Sequence, residues 1–188
     1  MAELKEQSNP FSTGGGGVNF ESRVQASFLV ALLAGTPIPC MPTNARVKEI
    51  SFQNRYAGVH TDDLLVISED STNNKRNLRI QIKHEITISD SEESVFAEVI
   101  LAAWEDFNSQ GFNKNLDSIA LVTGPLTKVD LSSTIPILEW ARHSSSSDEF
   151  IKKATTKGFT SAKKKERLSA YRAQLIRASG DALSDNEF

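Results

Sequence analysis

The sequence contains very little cysteine: Cys40 is the single residue of that type among 188. One thiol excludes both an intramolecular disulfide and a zinc site built from thiolates. The three histidines, at positions 60, 84 and 143, also lack close metal-ligand spacing. We therefore expect neither a disulfide framework nor a zinc centre, and a reducing cytoplasm is the default compartment.

Long apolar runs are missing as well. The N-terminus has no apolar core after its charged residues, and no segment approaches the ~20 residues that a membrane-spanning helix needs. Glycines 14–17 suggest a phosphate cradle, but no Gly-Lys-Ser/Thr follows them and no strand precedes them. The pattern excludes a Walker loop, so we expect no ATP binding by that route. Residues 1–17 are predicted to be a flexible tail.

The composition is typical of a soluble globular domain, with 39% hydrophobic residues, 24% charged residues and a net charge of −3. The charge is unevenly distributed, because residues 152–177 hold six Lys and three Arg against one acid. A basic face of this kind can follow DNA phosphates, and it can equally be a solvated helix surface. The candidate DNA-contacting residues in this stretch are Lys163, Lys164, Lys165 and Arg167.

The order of predicted elements is a helix, three strands, a helix, a strand and further helices, which indicates an α/β fold with a central mixed sheet flanked by helices. Residues 118–123 form a short apolar run, which predicts a strand covered on both faces. Ser89 or Ser91 is expected to begin the second helix, which runs to about residue 107 with Phe107 in its buried stripe. The other predicted helices cover residues 18–34, 129–142, 148–154 and 162–178, and the first strand covers residues 46–53.

Residues 61–84 contain two strand-like runs joined by a polar loop. Asp62 and Asp63 precede an apolar run at 64–67, and a polar loop at 69–75 connects it to a second run that alternates with period two. Such alternation is typical of a strand with one buried face, so the two runs predict a hairpin. On the second strand, one face carries Leu78, Ile80 and Ile82 and the other carries Arg79, Gln81 and Lys83.

A carboxylate at the start of one strand faces an amide and an ammonium on the next, which is a compact cation site. Asp63 is the first choice as ligand because it immediately precedes the apolar strand, and Asp62 is the fallback or a supporting group. Hard cations such as Mg²⁺ take oxygen ligands and retain several waters, so one or two carboxylates suffice. Glu21, on the first helix, can approach the same site.

The combination of Asp63, an apolar strand and Gln81-Ile82-Lys83 resembles the PD-(D/E)XK nuclease core, and more narrowly the Q-x-K variant of Mrr-type restriction endonucleases. From residues 9–15 to about residue 178, the chain resembles the N-terminal double-stranded-DNA endonuclease domains of bacterial antiviral STAND and NACHT-type ATPases. This resemblance implies a restriction-endonuclease-like core at residues 18–178. It also implies an endodeoxyribonuclease dependent on Mg²⁺, or on Mn²⁺, that leaves a 5′-phosphate.

The resemblance also implies roles for individual residues. Asp63, Gln81 and Glu21 would hold the metal, with Gln81 standing where many relatives carry Glu. Lys83 would steer the attacking water or neutralise charge on phosphorus, and Arg79 would contact a phosphate. Double-stranded DNA without strong sequence preference is the expected partner. Self-association is expected in a longer protein, to which residues 179–188 would be a linker.

Each candidate residue also has a structural interpretation. The two aspartates can complete a turn, Gln81 can be a buried hydrogen-bonded amide, Lys83 can be a solvated strand-end charge, and Glu21 can be a favourable partner of its helix dipole. The alternative function is therefore a nuclease-like module, catalytically weak or dead, that binds DNA or assembles without cutting it.

Overall fold

The computed structural model describes residues 15–53, 58–180 and 183. The contacts divide the chain into two compact units. The sheet unit comprises the chain up to Glu85 together with Gly111–Gly124, and the helical unit comprises Ile86–Gln110 and the chain from Pro125 onward. The helices and strands in chain order are α1 (Gly15–Ala34), β1 (Arg46–Phe52), β2 (Leu64–Glu69), β3 (Lys75–Lys83), α2 (Val95–Phe107), β4 (Ser118–Thr123), α3 (Lys128–Arg142), α4 (Ser147–Thr155) and α5 (Ala162–Ala178).

The predicted α/β class with a mixed sheet is confirmed. The four strands lie in the order β1-β2-β3-β4; β2 pairs antiparallel with both β1 and β3, whereas β3 pairs parallel with β4. A parallel pair requires a long connection, and the segment between β3 and β4 includes α2.

The core of the sheet unit follows from the alternation of β2 and β3. Leu64, Val66, Leu78 and Ile80 are at most 1% exposed, and they pack in one cluster with Phe28 of α1. Burying each of these side chains contributes about 1.5–3 kcal/mol, before the cost of ordering the chain. Asp63 and the odd-numbered residues of β2 and β3 lie on the other face of the hairpin. The prediction of a single buried face was wrong for β3, because Arg79 and Gln81 on this other face are only 6% and 7% exposed.

The loop between β2 and β3 is organised by Asp70. Its carboxylate accepts hydrogen bonds from the backbone N–H groups of Thr72 (2.9 Å) and Asn74 (3.0 Å), from the Thr72 hydroxyl (2.6 Å), and from Arg76 (3.4 Å). The Thr72 hydroxyl and the other donors hold the pKa of Asp70 well below its usual value. These bonds fix the turn, and with it the register of the two strands.

Helix α1 begins at Gly15, three residues before the predicted start, so part of the predicted tail is helical. The low helix propensity of glycine, about 1 kcal/mol per residue relative to alanine, favoured the later start. Gly16 is buried, however, and tertiary packing overrides the propensity. The rest of the predicted tail, residues 1–14, and most of the predicted linker, residues 181, 182 and 184–188, lie outside the described residues.

The predicted start of α2 was wrong. The helix begins at Val95, and its N-cap is Ser94, whose hydroxyl accepts from the Ala97 N–H at 3.1 Å. The carbonyls of Ser89 and Ser91 instead accept 2.9 Å hydrogen bonds from the Gln174 side chain of α5, so the segment before α2 is held in an irregular conformation.

Two predictions of burial were also wrong. Phe107, at the last turn of α2, is 40% exposed. The strand β4 is an edge strand of the described sheet, and its Leu121 is 37% exposed, so it is not covered on both faces. Its uninterrupted apolar sequence alone could not distinguish an edge position from a central one.

The helical unit has its own small core, in which Phe96 of α2 is 1% exposed and meets the Tyr171 ring of α5 edge-on, with 5.0 Å between ring centroids. Serine or threonine hydroxyls cap α3, α4 and α5, at Thr127, Ser146 and Ser161. No helix in the described part of the chain has both the length and the apolarity needed to cross a membrane.

Candidate active site

Asp63 lies immediately before β2, on the face of the hairpin opposite the core. The strand register pairs Leu64 with Ile80, which sets Asp63 opposite Gln81. The Gln81 amide donates a 2.6 Å hydrogen bond to Asp63 Oδ2, and the Ile82 backbone N–H donates a second one, also at 2.6 Å, to the same oxygen. The structure therefore brings these two predicted site residues into direct contact.

Lys83 lies two residues after Gln81, on the same face of β3, and is half-buried. It is close enough for its positive charge to lower the pKa of Asp63. Burial outweighs that effect, because it disfavours the charged carboxylate, and the Asp62 charge acts in the same direction. The net result is an Asp63 pKa above the usual value.

The raised pKa of Asp63 has a chemical consequence. A carboxylate whose charge is poorly compensated by its surroundings gains more from a nearby cation than a solvated one does. Both hydrogen bonds to the Asp63 carboxylate from the described residues fall on Oδ2, so Oδ1 accepts none from that part of the chain. Oδ1 is thus the atom of this carboxylate best suited to a metal ion.

Glu21 is connected to the site through Gln25, one turn later on α1. The Gln25 amide donates a 2.8 Å hydrogen bond to Glu21 Oε1 and a long, 3.5 Å contact to the Asp63 carbonyl oxygen. Glu21 is therefore separated from the Asp63 backbone by one side chain. Neither Glu21 nor Asp62 joins Asp63 in a cluster of three metal-ligating side chains within the described residues.

The donors of this site fit a hydrated Mg²⁺ ion better than a fully protein-coordinated one. Mg²⁺ usually keeps several waters and binds proteins through one or two carboxylates. Asp63 supplies one carboxylate, and Gln81, which uses its nitrogen toward Asp63, retains an amide oxygen. Because the amide group is neutral, Asp63 together with Gln81 should bind the cation more weakly than a pair of carboxylates does.

Arg79 lies on the same face of β3 but is 6% exposed. Its guanidinium donates to the Gly111 carbonyl oxygen at 3.2 Å and stands 5.3 Å from the centre of the Phe112 ring. These contacts use Arg79 to attach the loop before β4 to the sheet. Contact with a DNA phosphate stays a prediction for this residue.

The four basic candidates of α5 differ in their surroundings. Lys163 is paired with Glu166 at 2.8 Å, and Lys164 donates to the Phe159 carbonyl oxygen at 2.8 Å and lies over the Trp140 ring. Lys165 is exposed and forms no ion pair with a described residue. Its side chain is therefore the most available to a phosphate.

Arg167, by contrast, has a side chain only 11% exposed, which is held in an ion pair with Asp130 and in a 2.7 Å bond to the Ile88 carbonyl oxygen. The Thr127 hydroxyl and the guanidinium of Arg167 keep the pKa of Asp130 below its usual value. This arginine connects α3, α5 and the segment before α2. DNA contact by Arg167 remains a prediction that its internal contacts make less favourable.

Sequence reasoning missed two residues beside the site, Thr123 and Gly124. The parallel pairing of β3 with β4 aligns Thr123 with Lys83, and Gly124 follows directly. The only sequence signal was the Gly-Pro pair that ends the apolar run. Their proximity to Lys83 depends on a strand register that no local pattern specifies.

Comparisons of this chain with protein-family models, with curated proteins and with solved structures give no match.

Proposed function

We propose that this chain is a metal-dependent DNA endonuclease with a restriction-endonuclease-like core. The observation that carries the proposal is the contact of Asp63 with Gln81 and Ile82 on the sheet face that also bears Lys83. A poorly compensated carboxylate beside a positive charge is an arrangement suited to phosphoryl chemistry. The order of residues in the chain agrees with the D…Q-x-K pattern on which the resemblance rests.

Asp63 would hold a Mg²⁺ ion, or Mn²⁺, through Oδ1, with the Gln81 amide oxygen, Glu21 and Asp62 as further oxygen donors. When bound, such an ion supplies an activated water and offsets charge on the phosphate oxygens. The chain's own contribution begins with orientation. Gln81 and the Ile82 N–H fix the Asp63 carboxylate, so that Oδ1 is presented without reorganisation.

Lys83 contributes positive charge on the same face. An ammonium group there stabilises the extra negative charge that develops on phosphorus during hydrolysis, and it costs no reorganisation if it is already in place. The proposed reaction leaves a 5′-phosphate and a 3′-hydroxyl.

Binding of double-stranded DNA is proposed to depend on the phosphate backbone and not on base sequence. The basic residues of α5, with Lys165 foremost, would supply part of this attraction. Affinity would then fall steeply with salt concentration, because each neutralised phosphate releases counterions. In the cell, the proposed setting is the cytoplasm, where the chain would be the effector of an anti-phage defence protein and would self-associate to cut both strands.

A second candidate is a nuclease-like module that binds DNA without cutting it. The observation in its favour is that Asp63 is the only carboxylate in direct contact with Gln81 in the described structure, and that no cluster of three metal-ligating side chains is present there. Such a site would have low metal affinity, and the basic surface would then act alone.

A supercoiled-plasmid assay separates the two candidates. The nuclease predicts nicking or linearisation with Mg²⁺, none with EDTA, and none in Lys83→Ala. The matched control is Lys75→Ala, because Lys75 is exposed on the same face of β3. It lies about 26 Å from Lys83, since a strand rises ~3.3 Å per residue. This variant should cut like the wild type. Intact plasmid together with a retained gel shift would favour the binding module.

A further inference from the structure

The hydroxyl oxygen of Thr123, at the end of β4, is buried and has no hydrogen-bond partner in the described part of the chain. Burying a hydroxyl without a hydrogen-bond partner costs about 1–3 kcal/mol in proteins. Native structures keep few such atoms, and functional sites are one of the places where they occur. The position of Thr123 in the sheet indicates which function it serves.

The strand register aligns Thr123 with Lys83. Residues paired across neighbouring strands point to the same face of the sheet, so Thr123 shares the face of Gln81 and Lys83. The two strand ends are also held together beyond the last pair, because the Gly124 N–H donates to the carbonyl oxygen of His84 at 3.2 Å. The Thr123 hydroxyl and the Lys83 stem are therefore neighbours on a rigid element.

Lys83 consequently lies between oxygen acceptors on two different strands, with Asp63 toward β2 and Thr123 toward β4. An ammonium group has three donors and no acceptor, so two fixed partners determine where the third donor points. The lysine stem is flexible, so a rotation about it would bring the ammonium to the Thr123 hydroxyl.

We propose that Thr123 is a positioning residue for Lys83: its hydroxyl accepts one hydrogen bond from the ammonium, Asp63 accepts a second, and the third is directed at the phosphate. This inference rests on the proposed nuclease function and deepens it. It explains why a strand end keeps a buried hydroxyl where valine would pack as well.

Three variants test the proposal in the 188-residue chain. Thr123→Val removes the oxygen at nearly constant volume, and Thr123→Ser restores it. Thr134→Val is the matched control, because the Thr134 hydroxyl of α3 is also buried and makes no hydrogen bond to described residues. Each valine variant keeps the side-chain volume, and in Thr123→Val the Lys83 ammonium that loses an acceptor is on a partly exposed residue, so both variants should fold.

In Mg²⁺-dependent plasmid cleavage, we expect Thr123→Val to lower kcat about tenfold, since small misplacements of a catalytic group cost factors of ten to a hundred. The KM for DNA should stay unchanged, and Thr123→Ser should recover most of kcat. Thr134→Val should match the wild type. A wild-type kcat in Thr123→Val, an equal loss in Thr134→Val, or no recovery in Thr123→Ser would each overturn the proposal.

A readout without DNA separates this inference from the nuclease function. In ¹⁵N-labelled protein, the NMR signal of the Lys83 ammonium, assigned by its loss in Lys83→Arg, should be protected from exchange in the wild type and in Thr123→Ser. It should be lost in Thr123→Val. Absence of all DNA cleavage would refute the nuclease but not this contact, whereas an ammonium signal that Thr123→Val leaves unchanged would refute the contact itself.

Discussion

Gly124 approaches the backbone of His84 so closely that a Cβ atom on it would lie 2.3 Å from the His84 carbonyl oxygen. Real Cβ atoms do not come that close to backbone, so this residue must lack a side chain. The contact sits at the ends of β3 and β4, directly after Lys83 and Thr123. The glycine thereby allows the two strand ends that carry the proposed catalytic lysine and its neighbour to meet.

Gly124→Ala should destabilise the chain by about 1–3 kcal/mol, the usual cost of forcing extra atoms into packed structure. Urea unfolding of the purified variant measures this directly. Gly111→Ala is the control, because a Cβ there would meet only Arg79 Nη2 at 3.7 Å, an ordinary contact. Equal stability of the two variants would show that the strand ends separate easily.

Asp63→Asn should increase stability at neutral pH. Burial raises the pKa of Asp63 above its reference value of 3.8, so folding favours the protonated form. As the pH rises through 3.8 and then through the higher pKa of the folded state, the unfolded chain releases this proton first, and the wild type loses stability. Asparagine retains an oxygen to accept from Gln81 and Ile82 but has no charge to bury.

The gain in stability from Asp63→Asn should therefore be small at acid pH, increase as the pH rises and then level off. Urea unfolding between acid and neutral pH measures this gain in stability, with Asp90→Asn, at an exposed residue, as the control. A stability difference that does not change with pH would contradict the assigned cause of the Asp63 shift.

Mg²⁺ should raise the melting temperature of the wild type and leave the melting temperature of Asp63→Asn unchanged. A ligand that binds only the folded state stabilises it by RT ln(1 + [L]/Kd), about 2.7 kcal/mol at one hundred times Kd. Because the site offers few charged donors, millimolar Mg²⁺ should be needed. An equal shift in both proteins in a thermal-melt titration would mean that Mg²⁺ binds elsewhere.

Gln174→Leu should cost about 2 kcal/mol or more. Gln174 is 2% exposed, and its amide satisfies the carbonyls of Ser89 and Ser91, which would lose their partner in the variant. Arg177 donates to Gln174 Oε1 at 3.1 Å and is coupled to it, so the control from the same helix is Lys165→Ala, whose exposed side chain makes no hydrogen bond to a described residue. It should cost under about 1 kcal/mol. Chemical unfolding distinguishes the two.

Lys165→Ala should lower DNA affinity, whereas Arg167→Ala should lower stability. The exposed Lys165 should contribute to DNA affinity alone, with a salt dependence reduced by about one ion. Arg167 should contribute to stability, by about 2 kcal/mol, because its loss leaves Asp130 and the Ile88 carbonyl without a charged donor. Fluorescence anisotropy with duplex DNA at several salt concentrations, together with unfolding curves, measures both. Loss of affinity in Arg167→Ala at unchanged stability would reverse these roles.

Much of the fold could be predicted because its signals are local. The bounds of β4 and α5 agree with the predicted ranges 118–123 and 162–178, since turn residues end both segments. The alternation of Leu78 with Arg79 and its successors assigned these residues to opposite faces of β3, but it did not predict that both faces are buried from Leu78 to Ile82. The start of α2 was wrong because three serines offer a cap within six residues, and a distant side chain, Gln174, engages the first two.

The sequence by itself determined which side chains share a face, because the periods of strands and helices are properties of the local backbone. It therefore placed Gln81 and Lys83 on one face of β3 in advance, whereas the contact of Asp63 with Gln81 depends on the pairing of β2 with β3. Only the tertiary structure decided that Thr123 stands beside Lys83, that β4 is an edge strand, and that Arg167 is engaged inside while Lys165 is free of ion pairs with described residues. Those outcomes depend on pairing and packing between segments far apart in the chain, where many arrangements satisfy the same local pattern and the total free energy selects one.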